Sequence, residues 1–136
     1  DKILLSKKQQ MKLHHVGYVV KEIAQYEKSL IFEKKIKELF DPVQNSKMSL
    51  YQNFSDSFIE LIQPLNEESF TYNFLQKNGS SYHHLCYEAG SREEMMGVVG
   101  EQKLIMVKGP IPAILFDNRE VWFYYSRNKQ VVEFVI

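Results

Sequence analysis

His14-His15-Val16-Gly17-Tyr18 is answered later in the chain by His83-His84-Leu85-Cys86-Tyr87. Each element is followed by one glutamate inside an apolar run. The first is Phe58-Ile59-Glu60-Leu61-Ile62, the second Val131-Val132-Glu133-Phe134-Val135. The His-to-Glu intervals, 15 to 60 and 84 to 133, are nearly equal. A doubled His…Glu pair predicts two histidines and two carboxylates brought together by pseudo-symmetry, the donor set of a divalent metal.

Outward from these elements, the local patterns repeat as well. Met11 to Val20 reads as a strand, and Lys21 to Phe32 has helical spacing of Ile23, Tyr26, Leu30 and Ile31. A short strand over 35–40, the loop Asp41-Pro42-Val43-Gln44-Asn45-Ser46, and strands over 48–54 and 57–63 follow. Asn66 is expected to cap a helix running to Lys77, with Phe70, Phe74 and Leu75 inward and Gly79 as its stop. The pattern then restarts: a strand over 82–89, a helix opened by the capping box Ser91-Arg92-Glu93-Glu94, and strands over 104–107, 121–126 and 130–136. Gly109-Pro110-Ile111-Pro112 and Asp117-Asn118 are expected to be breaks.

This predicts an α+β fold of two βαβββ modules forming a curved, cup-like mixed β-sheet. Residues 11–136 read as a single domain, with modules over 11–65 and 81–136 and a helical connector over 66–80. Residues 1–10, polar and Lys-rich, read as a flexible leader.

Alternate residues of a strand face opposite sides. One histidine of each pair is therefore expected to point away from any shared site. A charge in the middle of so apolar a strand is costly unless it is paired or bound to metal. A lone strand histidine reads as a hydrogen-bonded core residue, and a lone strand glutamate as a solvent-facing one. The coincidence of both, twice, favours ligation. Two carboxylates balance a divalent cation, and two neutral imidazoles favour a transition metal or zinc over calcium.

Composition narrows the partners. Seventeen basic residues match seventeen acidic ones, which argues against nucleic acid. No apolar run is long enough for a membrane span. The one cysteine, Cys86, cannot form an intrachain disulfide, which predicts a reducing, cytoplasmic setting. Cys86 itself reads as a small buried hydrophobe, and Lys34, Lys35 and Lys37 as a solvated face that could attract a phosphorylated carrier. Open sheet edges allow a homodimer.

The chain resembles the vicinal oxygen chelate superfamily of glyoxalase, bleomycin resistance and dioxygenase proteins, and within it the methylmalonyl-CoA epimerase-like branch. Leu13-His14-His15-Val16-Gly17 is similar to the opening Asp-His-Ile-Gly element. Ile59-Glu60-Leu61-Ile62-Gln63-Pro64-Leu65 is similar to the Ile-Glu-Leu-x-x-Pro-Leu strand. Phe74-Leu75…Asn78-Gly79…His83-His84-Leu85 is similar to the connector element, and Val131-Val132-Glu133-Phe134 to the terminal strand. The resemblance implies the metal ligands His15, Glu60, His84 and Glu133, holding a divalent ion (Co, Ni, Zn, Mn or Mg). It implies proton abstraction next to a carbonyl of a small acyl thioester or α-oxo compound such as methylmalonyl-CoA, with the metal stabilising an enolate.

Glu133 is then the expected proton carrier. Epimerases place a further glutamate base in the loop before the third strand. Here that loop carries only Asp41, which becomes the second candidate base. The last hairpin also lacks the usual His-Pro. Two alternatives stand beside this: a glyoxalase I-like lactoylglutathione lyase, for which only Arg92, Arg119 and Arg127 could hold the glutathione carboxylates, and a non-catalytic small-molecule-binding protein of the same fold.

Overall fold

The structure is a computed structural model that describes residues 11–136. The predicted leader, residues 1–10, lies outside the described residues. Strand β1 (Lys12–Val19) leads to helix α1 (Ile23–Glu27), then β2 (Lys34–Asp41), β3 (Ser46–Gln52) and β4 (Phe58–Pro64). Helix α2 (Tyr72–Asn78) connects to β5 (Ser81–Glu88), helix α3 (Arg92–Gln102), β6 (Ile105–Ala113), a 3-10 turn (Ile114–Phe116), β7 (Arg119–Tyr125) and β8 (Val131–Val135). The order β-α-β-β-β occurs twice, as the sequence predicts.

All eight strands form one mixed sheet in the order β2-β3-β4-β1-β5-β8-β7-β6. β1 and β5 pair antiparallel at its centre. Each is flanked by a parallel partner, β4 beside β1 and β8 beside β5. The arrangement is therefore pseudo-symmetric about the β1–β5 seam.

The sheet buries both faces. On the outer face, α1 covers Val20, Tyr51, Ile59 and Leu61 with Ile23, while α3 covers Trp122, Tyr124 and Phe134 with Met95 and Val99. The inner face carries Val19, Met48, Leu50, Ile62, Cys86, Val121, Phe123 and Val135. Phe70, Phe74 and Leu75 from the connector and Leu115 and Phe116 from the 3-10 turn pack onto it.

Three sequence expectations change. The helix expected over Lys21–Phe32 is only Ile23–Glu27, because the chain turns at once through Ser29 N–H to Tyr26 and Leu30 N–H to Glu27. Its first amide is satisfied from a distance, by the Gln63 side chain of β4. In the connector, Asn66 organises a turn with Glu68 and Ser69 instead of capping a helix, and α2 begins only at Tyr72. Gly79 ends it with φ 71°, as expected.

Gly109-Pro110-Ile111-Pro112 does not break the chain but lies inside β6. β6 is one of the two edge strands, paired only with β7 and with its register shifted on both sides of Lys108, so the missing proline donors cost no second ladder. The capping Ser91 accepts from Glu94 N–H, as the sequence predicts.

Candidate metal centre

Two rows of paired residues cross the seam. In one, Glu60 of β4 pairs with Gly17 of β1, which pairs with His84 of β5. In the other, His15 of β1 pairs with Cys86 of β5, which pairs with Glu133 of β8. Each row is a carboxylate and an imidazole two strands apart, about 9–10 Å between backbones. The residue between them is small, so the long side chains lean inward over it and meet.

His15 Nε2 stands 3.1 Å from His84 Nε2, 3.0 Å from Glu133 Oε1 and 3.4 Å from Glu60 Oε1. His84 Nε2 stands 2.8 Å from Glu133 Oε1 and 3.4 Å from Glu60 Oε1. Among the described residues, these four form a cluster whose donor atoms all lie within 4.8 Å of one another. Ligands bonded about 2.0–2.2 Å from one zinc-like ion stand about 2.8–3.6 Å from each other in tetrahedral or octahedral arrangement. The observed spacings fall in that range. Calcium, which takes about six to eight oxygen donors, is disfavoured by the two imidazoles. Donor type and spacing both fit a small divalent ion.

All four side chains are buried: His15 and His84 are 0% exposed, Glu60 and Glu133 2%. Burial opposes the charge on His84, but Glu133 and Glu60 beside it raise its pKa above the usual value. For His15, burial also opposes the charge, and Cys86, Glu60 and Glu133 outweigh it, leaving the pKa well above 6.5. Burial would raise both carboxyl groups, yet the two imidazoles hold Glu60 and Glu133 below the usual carboxylate range.

The signs fix a pH window for chelated protein. Raised histidines contribute stability below their unfolded pKa, lost as pH rises through the folded value. Lowered glutamates contribute above about 4.5, lost as pH falls through the folded value. Buried His14 and His83, lowered to about 4 and about 3, lose stability as pH falls below about 6.5, so chelated protein is expected to have its highest Tm at about pH 6.5. Thermal scans across pH in excess chelator check this; a Tm that climbs steadily from pH 6 to 9 contradicts it.

His14 and His83 do not turn away as simple alternation predicts. In the β1–β5 ladder Leu13 pairs with Tyr87 and His15 with Cys86, leaving His14 as an extra residue on β1. On β5, His84 pairs with Gly17 and Tyr82 with Tyr18, leaving His83 extra. Each first histidine is thus a β-bulge, which returns its side chain to the neighbourhood of the next one. The two Nδ1 atoms lie 2.8 Å apart in both pairs. Burial, reinforced by the following histidine, lowers the pKa of His14 to about 4 and of His83 to about 3. Alternating patterns cannot show a bulge, because it arises from two strands disagreeing in length.

Asp41 is not brought to the cluster. It ends β2, pairing with Ser46, which pairs with Pro64. Pro64 is four residues beyond Glu60 on β4, about 13 Å along the strand. The buried Asp41 carboxylate accepts from Val43 N–H, Gln44 N–H and the Gln44 amide, holding its own turn. Burial pushes the Cys86 thiol pKa up, which removes it as a thiolate nucleophile. Lys35 is tied to Glu27 and Glu38.

Sequence reasoning missed Phe116. Its ring lies 5.0 Å from His15 and 4.9 Å from His14, on a turn packed against β2 and tied there by Lys37 to Asp117 at 3.6 Å. Outside this cover is a groove of about 500 Å3 lined by Lys12, His14, Lys37, Phe58, Phe116 and Arg119, among others.

Known proteins share this architecture. The chain superposes on a hypothetical protein from Bacillus halodurans C-125 with TM-score 0.78, at 30% identity over 92% of this chain and 93% of that one. It matches methylmalonyl-CoA epimerase from Mycobacterium tuberculosis with TM-score 0.75, at 23% identity over 91% and 86% of the two chains. It matches a Streptomyces coelicolor methylmalonyl-CoA epimerase in complex with 2-nitronate-propionyl-CoA with TM-score 0.74, at 16% identity over 91% and 92%. At those identities the two epimerases show the fold alone. No curated protein matches by sequence. The family model described as the glyoxalase/bleomycin resistance protein/dioxygenase superfamily matches residues 10–133, and the chain belongs to that superfamily.

Proposed function

We propose that this protein is a metal-dependent enzyme that removes and returns a proton next to a carbonyl, on a small acyl thioester such as methylmalonyl-CoA. The observation that carries the reading is the convergence of His15, Glu60, His84 and Glu133 at spacings suited to one divalent ion. When bound, such an ion supplies Lewis-acid polarisation of the carbonyl oxygen. His15 and His84, on the two strands of the seam, would hold it, and Glu60 and Glu133 would balance its charge.

Glu133 is the proposed proton carrier. Its Oε1 already spans both Nε2 atoms, and its buried position excludes water from the transfer. Asp41, occupied in its own turn, is assigned no part in the proton transfer. Phe116 and the inner-face aromatics supply the apolar wall. Lys12, Lys37 and Arg119 line the groove where an anionic carrier would lie. Among the described residues Arg119 is the one arginine lining it, and it pairs with Glu88 of the same groove, while Arg92 sits over Trp122 and pairs with Glu120. A glutathione clamp would need more, which favours the thioester over the lyase reading.

In D2O, metal-loaded protein is expected to incorporate deuterium at the α-carbon of methylmalonyl-CoA, followed by mass spectrometry. With Glu133 as the single base, exchange should outpace inversion. Absence of exchange above a chelated control removes this substrate; absence of stoichiometric metal removes the enzyme reading and favours a binding protein.

A further inference from the structure

The geometry points to His14 and His83 as positioning residues of the metal centre: each accepts a hydrogen bond at Nδ1 from the histidine that follows it, keeping that ligand's Nε2 turned to the cation. The inference rests on the metal-centre reading above.

His15 and His84 each face the cluster with Nε2, and to donate a lone pair there a neutral imidazole must carry its proton on Nδ1. Each Nδ1–H then needs an acceptor, since a buried donor without one is costly. The acceptor at hydrogen-bond distance is Nδ1 of the preceding histidine, 2.8 Å away in both pairs, and beside His15 the Cys86 sulfur also stands within 4.8 Å of this pair. Two Nδ1 atoms can share one proton only if the partner is bare at that nitrogen, which puts the proton of His14 and of His83 on Nε2. The hydrogen bond therefore fixes both the tautomer and the ring orientation of the ligand, as outer partners of metal-bound histidines commonly do.

Packing alone does not account for these residues. The His14 ring sits among Phe58 and Phe116, and the His83 ring against Phe74, contacts a phenylalanine would serve. Nor does regular strand geometry bring the nitrogens together. Neighbouring side chains on an unbroken strand point to opposite faces, and only the bulges at 14 and 83 let consecutive rings meet. A bulge gives up ladder pairing, and it occurs at both equivalent places with the same nitrogen-to-nitrogen contact.

The chain has four histidines, all of them in this arrangement. Nitrogen-15 NMR of histidine-labelled, zinc-loaded protein should show two rings protonated at Nδ1 with metal-shifted Nε2, and two protonated at Nε2. Finding His14 and His83 protonated at Nδ1 overturns the assignment. Cobalt titration supplies a second readout. His14→Phe and His83→Phe, which keep the ring packing, should each weaken binding about 10- to 100-fold and alter the cobalt visible spectrum. His14→Asn and His83→Asn, whose Oδ1 replaces the accepting nitrogen, should recover most of the affinity. Phenylalanine variants that bind like the wild type remove the positioning role alone; a wild type that binds no ion removes the metal centre with it. If a phenylalanine variant does not fold, the wild-type tautomers still decide the question.

Discussion

His84→Ala is expected to abolish stoichiometric uptake of a divalent ion, weakening binding by more than about 100-fold, beyond the loss typical of an outer partner. His84 Nε2 is within 3.4 Å of the donor atom of each of the other three side chains. Its loss removes a ligand and also leaves Glu60 and Glu133 sharing one imidazole in a site closed to water. Breaking a buried ionic cluster on one side costs about 3–5 kcal/mol, so the chelated variant should also unfold earlier in urea. Elemental analysis after stripping and reloading, with circular dichroism to confirm folding, reads both effects. A folded His84→Ala protein that keeps one equivalent of metal contradicts the four-ligand site.

Gly17→Ala should come close to the same result with a substitution that removes no donor. A methyl built at Gly17 falls within 2.6 Å of both ring nitrogens of His84. Gly17 sits in the middle of β1, bonded on both sides, so the backbone cannot step back. The imidazole must swing away, or the central seam must open. Overpacking of this kind costs about 1–3 kcal/mol, and a ligand moved by more than an ångström no longer shares the ion. Cys86→Ala, in the matching place of the other row, is the control. It removes one buried heavy atom, costs about 1 kcal/mol, and leaves metal uptake intact. Equal metal affinity in Gly17→Ala and wild type would show that His84 does not need its observed position.

The parts of this site legible in the sequence were those that violate a local rule. Glu60 and Glu133 stand out because a carboxylate interrupts an apolar strand, and the doubled histidines because the same interruption recurs. What stayed hidden depends on the pairing of distant segments. The bulges at His14 and His83 exist only as a mismatch between β1 and β5. The start of α1 is completed by Gln63, some forty residues on, and its end by the turn at Ser29 and Leu30, neither of which helical spacing reveals. The prolines of β6 read as breaks because only the sheet order reveals an edge. Phe116 looked like any apolar residue until the turn that carries it was seen lying on β2. Asp41 drew attention as the lone acid of its loop, and its hydrogen bonds show it building that loop.

The residues between the paired ligands, Gly17 in one row and Cys86 in the other, also set the two halves of the centre apart. A centre with true twofold symmetry offers any small molecule two equal poses, turned by half a revolution. A reaction that must treat one side of a carbon differently from the other gains nothing from such indifference. Because both rows belong to one continuous chain, their middle residues are free to differ, with bare backbone beneath His84 and a sulfur beneath His15. The floor of the cup is thereby lopsided: what lies beneath one imidazole is not what lies beneath the other.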